Sequence, residues 1–385
     1  MPLYEMRKFV APEFIFGVGS RRHASFFAKN LKARRVLIVT DPGVVAAGWL
    51  ADLIAAIDEA GLDTVVFDSV TPNPKDTEVM AGVDAYRNAR CDVIIALGGG
   101  SVIDCAKGIS IVSTNGGHIL DYEGVDKITR PGPPLICIPT TSGTSADISQ
   151  FCIINNTEKH YKIAIISKST VPDVALVDPE ITTTMPSYLT ACTGIDALTH
   201  AVEAYVSTAS SPVVDVHALA AIRLIHGNLL DAIVNPNNVA ARENMSLASL
   251  QAGLAFSNAS LGAVHAMAHS LGGYLDLPHG ESNALLLEHV IRFNHGHVQE
   301  RYKHIGEAMG LALGGVSAAQ QVKLLTTAIH DLRIASGIHG GLAERGVGQG
   351  AIDELAPWAI KDACIFTNPR RASLSDIRTI YAEAL

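Results

Sequence analysis

Between residues 36 and 178 the sequence alternates short, wholly apolar β-branched runs with longer stretches of helical periodicity, and few folds accept that rhythm. The runs are VLIVT (36–40), TVVF (64–67), DVIIAL (92–97), LICIP (135–139) and VALVD (174–178). A strand that is apolar on both faces must be covered on both, which is the condition of a strand inside a parallel sheet. Strands of this kind separated by amphipathic helices, with right-handed crossovers, predict a doubly wound α/β domain. YKIAIISK (161–168) is set apart as one arm of a side hairpin.

After Pro186 the strand signal ends. Pro186-Ser187 is read as the start of a helix through YLTACTGIDALTHAVEAYVS, and Ser211-Pro212 and Asn235-Pro236 as openings of two more, because proline suits a first helical turn. The last helix is expected from Ser373, with Asp376 completing a short capping box. The chain therefore divides into an α/β domain over 1–185 and an all-helical domain over 186–385, with no repeat and no linker. A site is expected in the cleft between them.

Composition narrows the classes. With 48% hydrophobic and 17% charged residues the chain can bury a large core, which excludes disorder. A net charge of −9 offers no basic footprint for nucleic acid or an anionic membrane. No uncharged apolar run reaches the ~18 residues of a membrane span, and MPLYEMRKFVAPEF has no secretory h-region. Cys91, Cys105, Cys137, Cys152, Cys192 and Cys364 form no CxxC pair, so they read as reduced thiols packed as small apolar residues, and a cytoplasmic location is expected.

Two groups of residues carry chemistry. Gly98-Gly99-Gly100-Ser101 follows DVIIAL directly and opens the helix SVIDCAKGIS. Such a turn lets backbone N–H groups approach a diphosphate at a helix N-terminus, although it is not a GxGxxG and could be a tight turn without a ligand. Thr140-Thr141-Ser142-Gly143-Thr144 follows another strand, and a second loop at a strand's carboxyl end strengthens the nucleotide reading. Asp41 ends the first run; it could bind the adenosine ribose and repel a 2′-phosphate, or simply form a turn. The other group is Asp196 with His200, then His265 with His269, both at i and i+4 spacing, and His279 in LPHGES. One helical histidine alone is ordinarily a surface or core residue. Oxygen and imidazole ligands together suit Fe²⁺, Zn²⁺ or Mn²⁺. Spacing leaves open which four would bind.

The strings GGGSVIDCAKG, GIDALTHAVEAYVS, GAVHAMAHSLGGYLDLPHGESNALLLEHVIRFN and KDACIFTNPR together resemble the iron-containing (group III) alcohol dehydrogenase family, and the likeness runs from FGVGS to NPR. The resemblance implies a Rossmann-like dinucleotide-binding domain and a helical domain, in the fold shared with dehydroquinate synthase. It implies metal ligands at Asp196, His200, His265 and His279, and places His269 beside the nicotinamide as a proton relay. Gly98, Gly99, Gly100, Ser101 and Asp104 would meet the diphosphate and nicotinamide ribose. Thr140, Thr141 and Thr144 would meet the adenosine side, Lys162 a further part of the cofactor, and Asp41 would favour NAD. Two departures stand out: the family's TTxGTGSE reads TTSGTSAD, and Glu281 stands where relatives carry a small or apolar residue.

The expected chemistry is hydride transfer between a small primary alcohol and NAD, with Fe²⁺ or Zn²⁺ as Lewis acid. Small alcohols and aldehydes are then the partners, and a homo-oligomer is expected. The rivals are a glycerol-dehydrogenase-like polyol oxidoreductase or a dehydroquinate-synthase-like lyase, both of which typically use three protein ligands, and a non-enzymatic nucleotide-binding scaffold. The intact ligand set argues against the scaffold.

Overall fold

The computed structural model describes residues 7–159, 161–275 and 277–385; the first six residues of the N-terminal stretch read above lie outside them. The apolar runs form a six-stranded, fully parallel sheet of β1 (Glu13–Phe16), β2 (Arg35–Val39), β3 (Asp63–Phe67), β4 (Val93–Gly98), β6 (Leu135–Pro139) and β9 (Val174–Val177), in the order β1-β9-β6-β4-β2-β3. β5 (Gly124–Val125), β7 (Phe151–Asn156) and β8 (Tyr161–Ile166) make a separate three-stranded sheet, in which β7 and β8 are the expected antiparallel hairpin. β1 escaped the sequence reading because EFIF is only four residues long and sits half-exposed at the sheet edge.

Helices α1 (Ala24–Asn30), α2 (Pro42–Ala46), α3 (Trp49–Glu59), α4 (Asp76–Ala89) and α5 (Gly100–Asn115) accompany the sheet. Successive strand residues point to opposite faces. Val36, Ile38, Val93 and Ile95 pack with Phe27, Leu50 and Ile57 of α1 and α3. Leu37, Val39, Ile94 and Ala96 pack with Val79, Val83 and Ile103 of α4 and α5. Both faces are thus covered, which is why these strands carry no polar alternation. From β2 the chain steps outward to β3, then returns to β4 on the other side of β2. The crevice at such a reversal lies at the carboxyl ends of β2 and β4.

From Ser187 onward the elements are helical: α6 (Ser187–Val206), α7 (Pro212–Val234), α8 (Val239–Ala259), α9 (Ala263–Leu275), α10 (His279–His295), α11 (Gln299–Ala308), α12 (Ala318–Ala335), α13 (Gln349–Ala359) and α14 (Leu374–Glu383), with short 3₁₀ turns between some. Ser211 caps α7 with Pro212 at its first turn, and Ser373 with Asp376 forms the capping box of α14. Asn235-Pro236 does not open a helix. Asn235 ends α7 and its side chain turns back to donate Nδ2 to Asp231 Oδ1 at 2.6 Å, Pro236 lies in the turn, and Asn238 caps α8 by accepting from the Ala241 N–H. Among the described residues one helix, α7, is long and apolar enough to cross a membrane by length and composition. It carries Asp215, Arg223 and Asp231, and its buried side packs into the helical core with α6 and α8.

α6 is the axis of this half. Every residue from Thr190 to Val206 is buried, so the helix is enclosed on all sides. Gly280, in the first turn of α10, lies so close to α6 that a Cβ there would fall 2.1 Å from Cys192 O and 3.2 Å from Asp196 Cβ. Glycine is needed for approach, not for backbone freedom. Replacing Gly280 with alanine is expected to lower stability by about 1–3 kcal/mol through overpacking. Urea denaturation of the metal-free protein checks this, and an unchanged midpoint contradicts it.

Candidate active site

The loops after β2, β4 and β6 meet at the crevice. α5 begins at Gly100, and its N-cap, Gly99, supplies no side chain, so no side chain caps the first N–H groups. They are oriented to receive an anionic oxygen. A Cβ on Gly99 would lie 3.1 Å from Thr141 Cγ2, and one on Gly100 would lie 2.8 Å from Thr144 Oγ1. The glycine turn and the threonine loop therefore rest against each other with no room for a side chain. Thr140 N–H donates to Gly98 O at 3.0 Å and Thr40 Oγ1 to Leu97 O at 2.8 Å, tying the three strand ends together. Asp41 caps α2: its Oδ1 accepts from the N–H groups of Gly43 and Val44 at 2.8 and 3.0 Å. Its Oδ2 takes part in neither bond.

Across the cleft, α6 presents Asp196 and His200, α9 presents His265 and His269, and α10 begins at His279. Asp196 Oδ1 lies 3.9, 3.6 and 3.9 Å from Nε2 of His200, His265 and His279. Ligands ~2.0–2.2 Å from a tetrahedral ion stand ~3.4 Å apart, so these spacings suit a small divalent cation with little adjustment. Candidate donor atoms of Asp196, His265 and His279 all fall within 4.8 Å of one another, and the His200 ring stacks on His265 at 4.5 Å. His269 stacks on His279 at 5.3 Å, but its Nδ1 is bound to Asp362 Oδ2 at 2.8 Å.

Partners hold this set in place. His265 Nδ1 bonds Glu203 Oε2 at 2.5 Å, while Glu203 Oε1 accepts from Val264 N–H. Asn283 Nδ2 donates to Asp196 Oδ1 at 2.7 Å. Phe256 stacks on His200 at 4.2 Å, and His200 Nδ1 reaches Gly143 O at 3.3 Å, linking the threonine loop to the cluster. Carboxylates behind ligating histidines orient the rings and raise their basicity. Glu203, Asn283, Phe256 and Asp362 were not singled out in the sequence. Glu203 had a signal, since it follows Asp196 by seven residues on one helix and so shares its face. Asp362 lies 93 positions from His269, beyond any periodicity.

One cleft joins the two groups, with Ser101, Asp104 and Lys162 among the residues at one part and Asp196, His200, His265, His269 and His279 at another. Gly100 and Thr144 also line it; Gly98, Gly99, Thr140, Thr141 and Asp41 lie along the strand ends outside its walls. Among the described residues Asp104 Oδ1 is buried without a hydrogen-bond partner, and burial pushes its carboxyl up to about 6 despite Lys107 and Lys162 nearby. Lys162 Nζ donates to Asn73 Oδ1 at 2.6 Å. Uncapped N–H groups and a lysine can donate to diphosphate oxygens, and the Asp104 acceptor, with Lys107 Nζ 4.0 Å from Oδ1, can take a sugar hydroxyl.

The pattern described as iron-containing alcohol dehydrogenase matches residues 11–179, and that of the C-terminal part of the same family matches residues 190–385. The chain belongs to the iron-containing alcohol dehydrogenase family. It is an alcohol dehydrogenase that works with NAD and a metal ion, as the family does. The 1,3-propanediol dehydrogenase of Citrobacter freundii is 43% identical over 98% of this chain and 96% of its own length. The NAD-dependent methanol dehydrogenase of Bacillus methanolicus is 38% identical over 98% and 99%. A crystal structure of a 1,3-propanediol oxidoreductase superposes with a TM-score of 0.96 at 40% identity, covering 99% of this chain and all of that one.

Both departures from the family pattern now have a physical setting. Ser145, where the family has glycine, keeps a left-handed backbone with φ of 50° and uses its Oγ to donate to Ser249 O at 2.7 Å. Asp147 is buried below the loop, with burial raising its carboxyl to about 6, and lines a separate small cavity with Asp178 and Ser246. Glu281 does not line the cleft. It is buried against Arg345, whose Nε donates to Oε1 at 2.8 Å, so its charge is spent on that pair.

The electrostatics of the cluster differ ring by ring. Burial lowers His200 to about 4 against the pull of Asp196, and burial likewise holds His279 well below the usual imidazole range. Burial opposes a charge on His265 too, but hydrogen bonds to Asp196 and Glu203 outweigh it and lift that ring to about 9. Asp196 is held well below the carboxylate range by the surrounding histidines, although burial opposes this. A metal needs neutral imidazoles and an ionised carboxylate. At pH 7.5 only His265 then carries a proton that must leave. Metal uptake by the apoprotein is expected to release about one proton per site, fewer in Glu203→Gln. Calorimetry in buffers of different ionisation enthalpy measures it, and release of none or of two contradicts the reading.

Proposed function

We propose that this enzyme interconverts a small primary alcohol and its aldehyde, with Asp196, His200, His265 and His279 holding the metal and the crevice at β2, β4 and β6 holding NAD. The observation that carries the reading is the single cleft into which the ligand cluster and the glycine turn both open. When bound, the metal supplies a Lewis acid for the alcohol oxygen and the nicotinamide supplies a hydride acceptor. The chain's own residues do the rest. The uncapped turn at Gly99–Ser101 positions the diphosphate, Asp104 and Lys162 fix the sugar nearest the cluster, and Thr140, Thr141 and Thr144 support the far half from the adjoining loop. Asp41 offers Oδ2 to the adenosine ribose while Oδ1 remains the cap of α2. His269 accepts the hydroxyl proton.

The alternation of β7 supports the substrate class. Phe151, Ile153 and Asn155 share one face and line the cleft, and Phe151 meets Phe256 at 5.7 Å beside His200. With Leu261 these rings form an apolar wall next to the ligand cluster, suited to a short carbon chain and excluding bulk water from the reacting centre. The reading divides the chain at residue 185 into cofactor and metal halves and places the enzyme in the cytoplasm, which six buried, unpaired cysteines support. It also includes a homo-oligomer, supported by the exposed Val213, Val216, Leu230 and Val234 on α7.

His265→Ala and His279→Ala are expected to lose metal on purification, whereas His269→Ala retains it and turns over about 10²–10⁴-fold more slowly. Metal analysis beside kcat on ethanol and 1,3-propanediol tests this; loss of metal from His269→Ala would sink the ligand assignment. Asp41→Gly is expected to narrow the preference for NAD over NADP while costing only a few tenths of a kcal/mol, since glycine is a tolerable N-cap. Unchanged discrimination between the two cofactors would count against the ribose role.

A further inference from the structure

KDACIFTNPR is the one quoted motif with no part in the function described so far, and its aspartate ends beside the cleft. Asp362 caps the 3₁₀ turn Ala363–Thr367, with Oδ1 accepting from Cys364 N–H at 2.8 Å. Its other oxygen, Oδ2, bonds His269 Nδ1 at 2.8 Å. Both side chains are nearly buried, at 12% and 8% exposure, so water does not replace this bond readily. An ionised carboxylate only accepts, so Nδ1 must carry the proton of the neutral ring and Nε2 must carry the lone pair. The ring lies parallel to His279, 14° from coplanar, and lines the same cleft.

We propose that Asp362 is a positioning residue that fixes the tautomer of His269, so that Nε2 enters the cleft as the acceptor of the substrate's hydroxyl proton. The inference rests on His269 being the proton carrier. In alcohol oxidation the hydride leaves carbon for NAD⁺, the O–H bond breaks and an N–H bond forms at Nε2. The imidazolium so formed stands against the Asp362 carboxylate and then returns its proton to solvent.

Asp362→Asn tests this sharply, because a second donor fixes the orientation of the new amide. The Cys364 N–H cannot become an acceptor, so the amide oxygen stays on it and the NH₂ group faces His269 Nδ1. The ring is then forced into the opposite tautomer, with its proton on Nε2. Volume and cap are conserved. With ¹⁵N-histidine in the zinc-loaded protein, the wild type is expected to show His269 protonated at Nδ1 and D362N to show it protonated at Nε2. D362N should also lose about 10²–10⁴-fold in kcat, with KM and zinc content unchanged. A wild-type His269 protonated at Nε2 overturns the inference whether or not the variant folds. Full kcat in D362N with slow His269→Ala overturns the role of Asp362 and leaves His269 as proton carrier. Full kcat in His269→Ala overturns that reading, and the inference with it.

Discussion

A single carboxylate, Asp196, sits 1% exposed on a helix enclosed by other helices, and much of the helical half is arranged around it. An isolated buried charge costs several kcal/mol, and removing the partner of a buried pair typically costs about 3–5 kcal/mol. Asp196 therefore has to be met, and it is met from α9 by His265, from α10 by His279 and Asn283, and from its own helix by His200. The glycine contact between α6 and α10 exists so that this can happen. Held this way, the carboxylate is ionised and its neighbours converge within a metal's reach.

The same logic extends one layer outward. Three of the cleft's imidazoles have their Nδ1 occupied: His265 by Glu203, His269 by Asp362, His200 by the carbonyl of Gly143. Those bonds set which nitrogen faces the cleft, and geometry of this kind is lost if the backing group moves by an ångström. The bond from His200 to Gly143 also joins the halves, because that carbonyl belongs to the loop that supports the glycine turn. The threonine loop and the Asp196 cluster are thereby built as one piece, as the proposed hydride transfer over a short distance demands.

The α/β domain contributes by a different physical route. Its crevice is shaped mainly by backbone, although Asp104 and Lys162 line it and Lys107 is buried behind it. It comes from strand order, from glycines where no Cβ fits between two loops, and from a helix N-terminus with no side-chain cap. The cleft thus has one part made of backbone dipoles and hydroxyls and another of carboxylate and imidazoles. Phe151, Phe256 and Leu261 give the latter an apolar wall.

The strands of the main sheet other than β1, and the start of the helical half, were legible because burial on two faces leaves an unbroken apolar run and helical periodicity needs only local residues. The helix start at Asn235-Pro236 was misread for the opposite reason: the Asn235 side chain is held by Asp231 of the preceding helix, and Asn238 takes the cap instead. Asp196 with His200 and His265 with His269 were readable as pairs, since i and i+4 share a helix face. Which of them share one centre was not readable, because that depends on α6, α9 and α10 crossing at one place. The sequence by itself determined the elements and the chemical types of the donors. Tertiary packing decided that Asp196, His265 and His279 converge, that Glu281 turns away to Arg345, and that Asp362 reaches back to His269. Distances between residues tens of positions apart are set by how helices pack, and no local pattern encodes them.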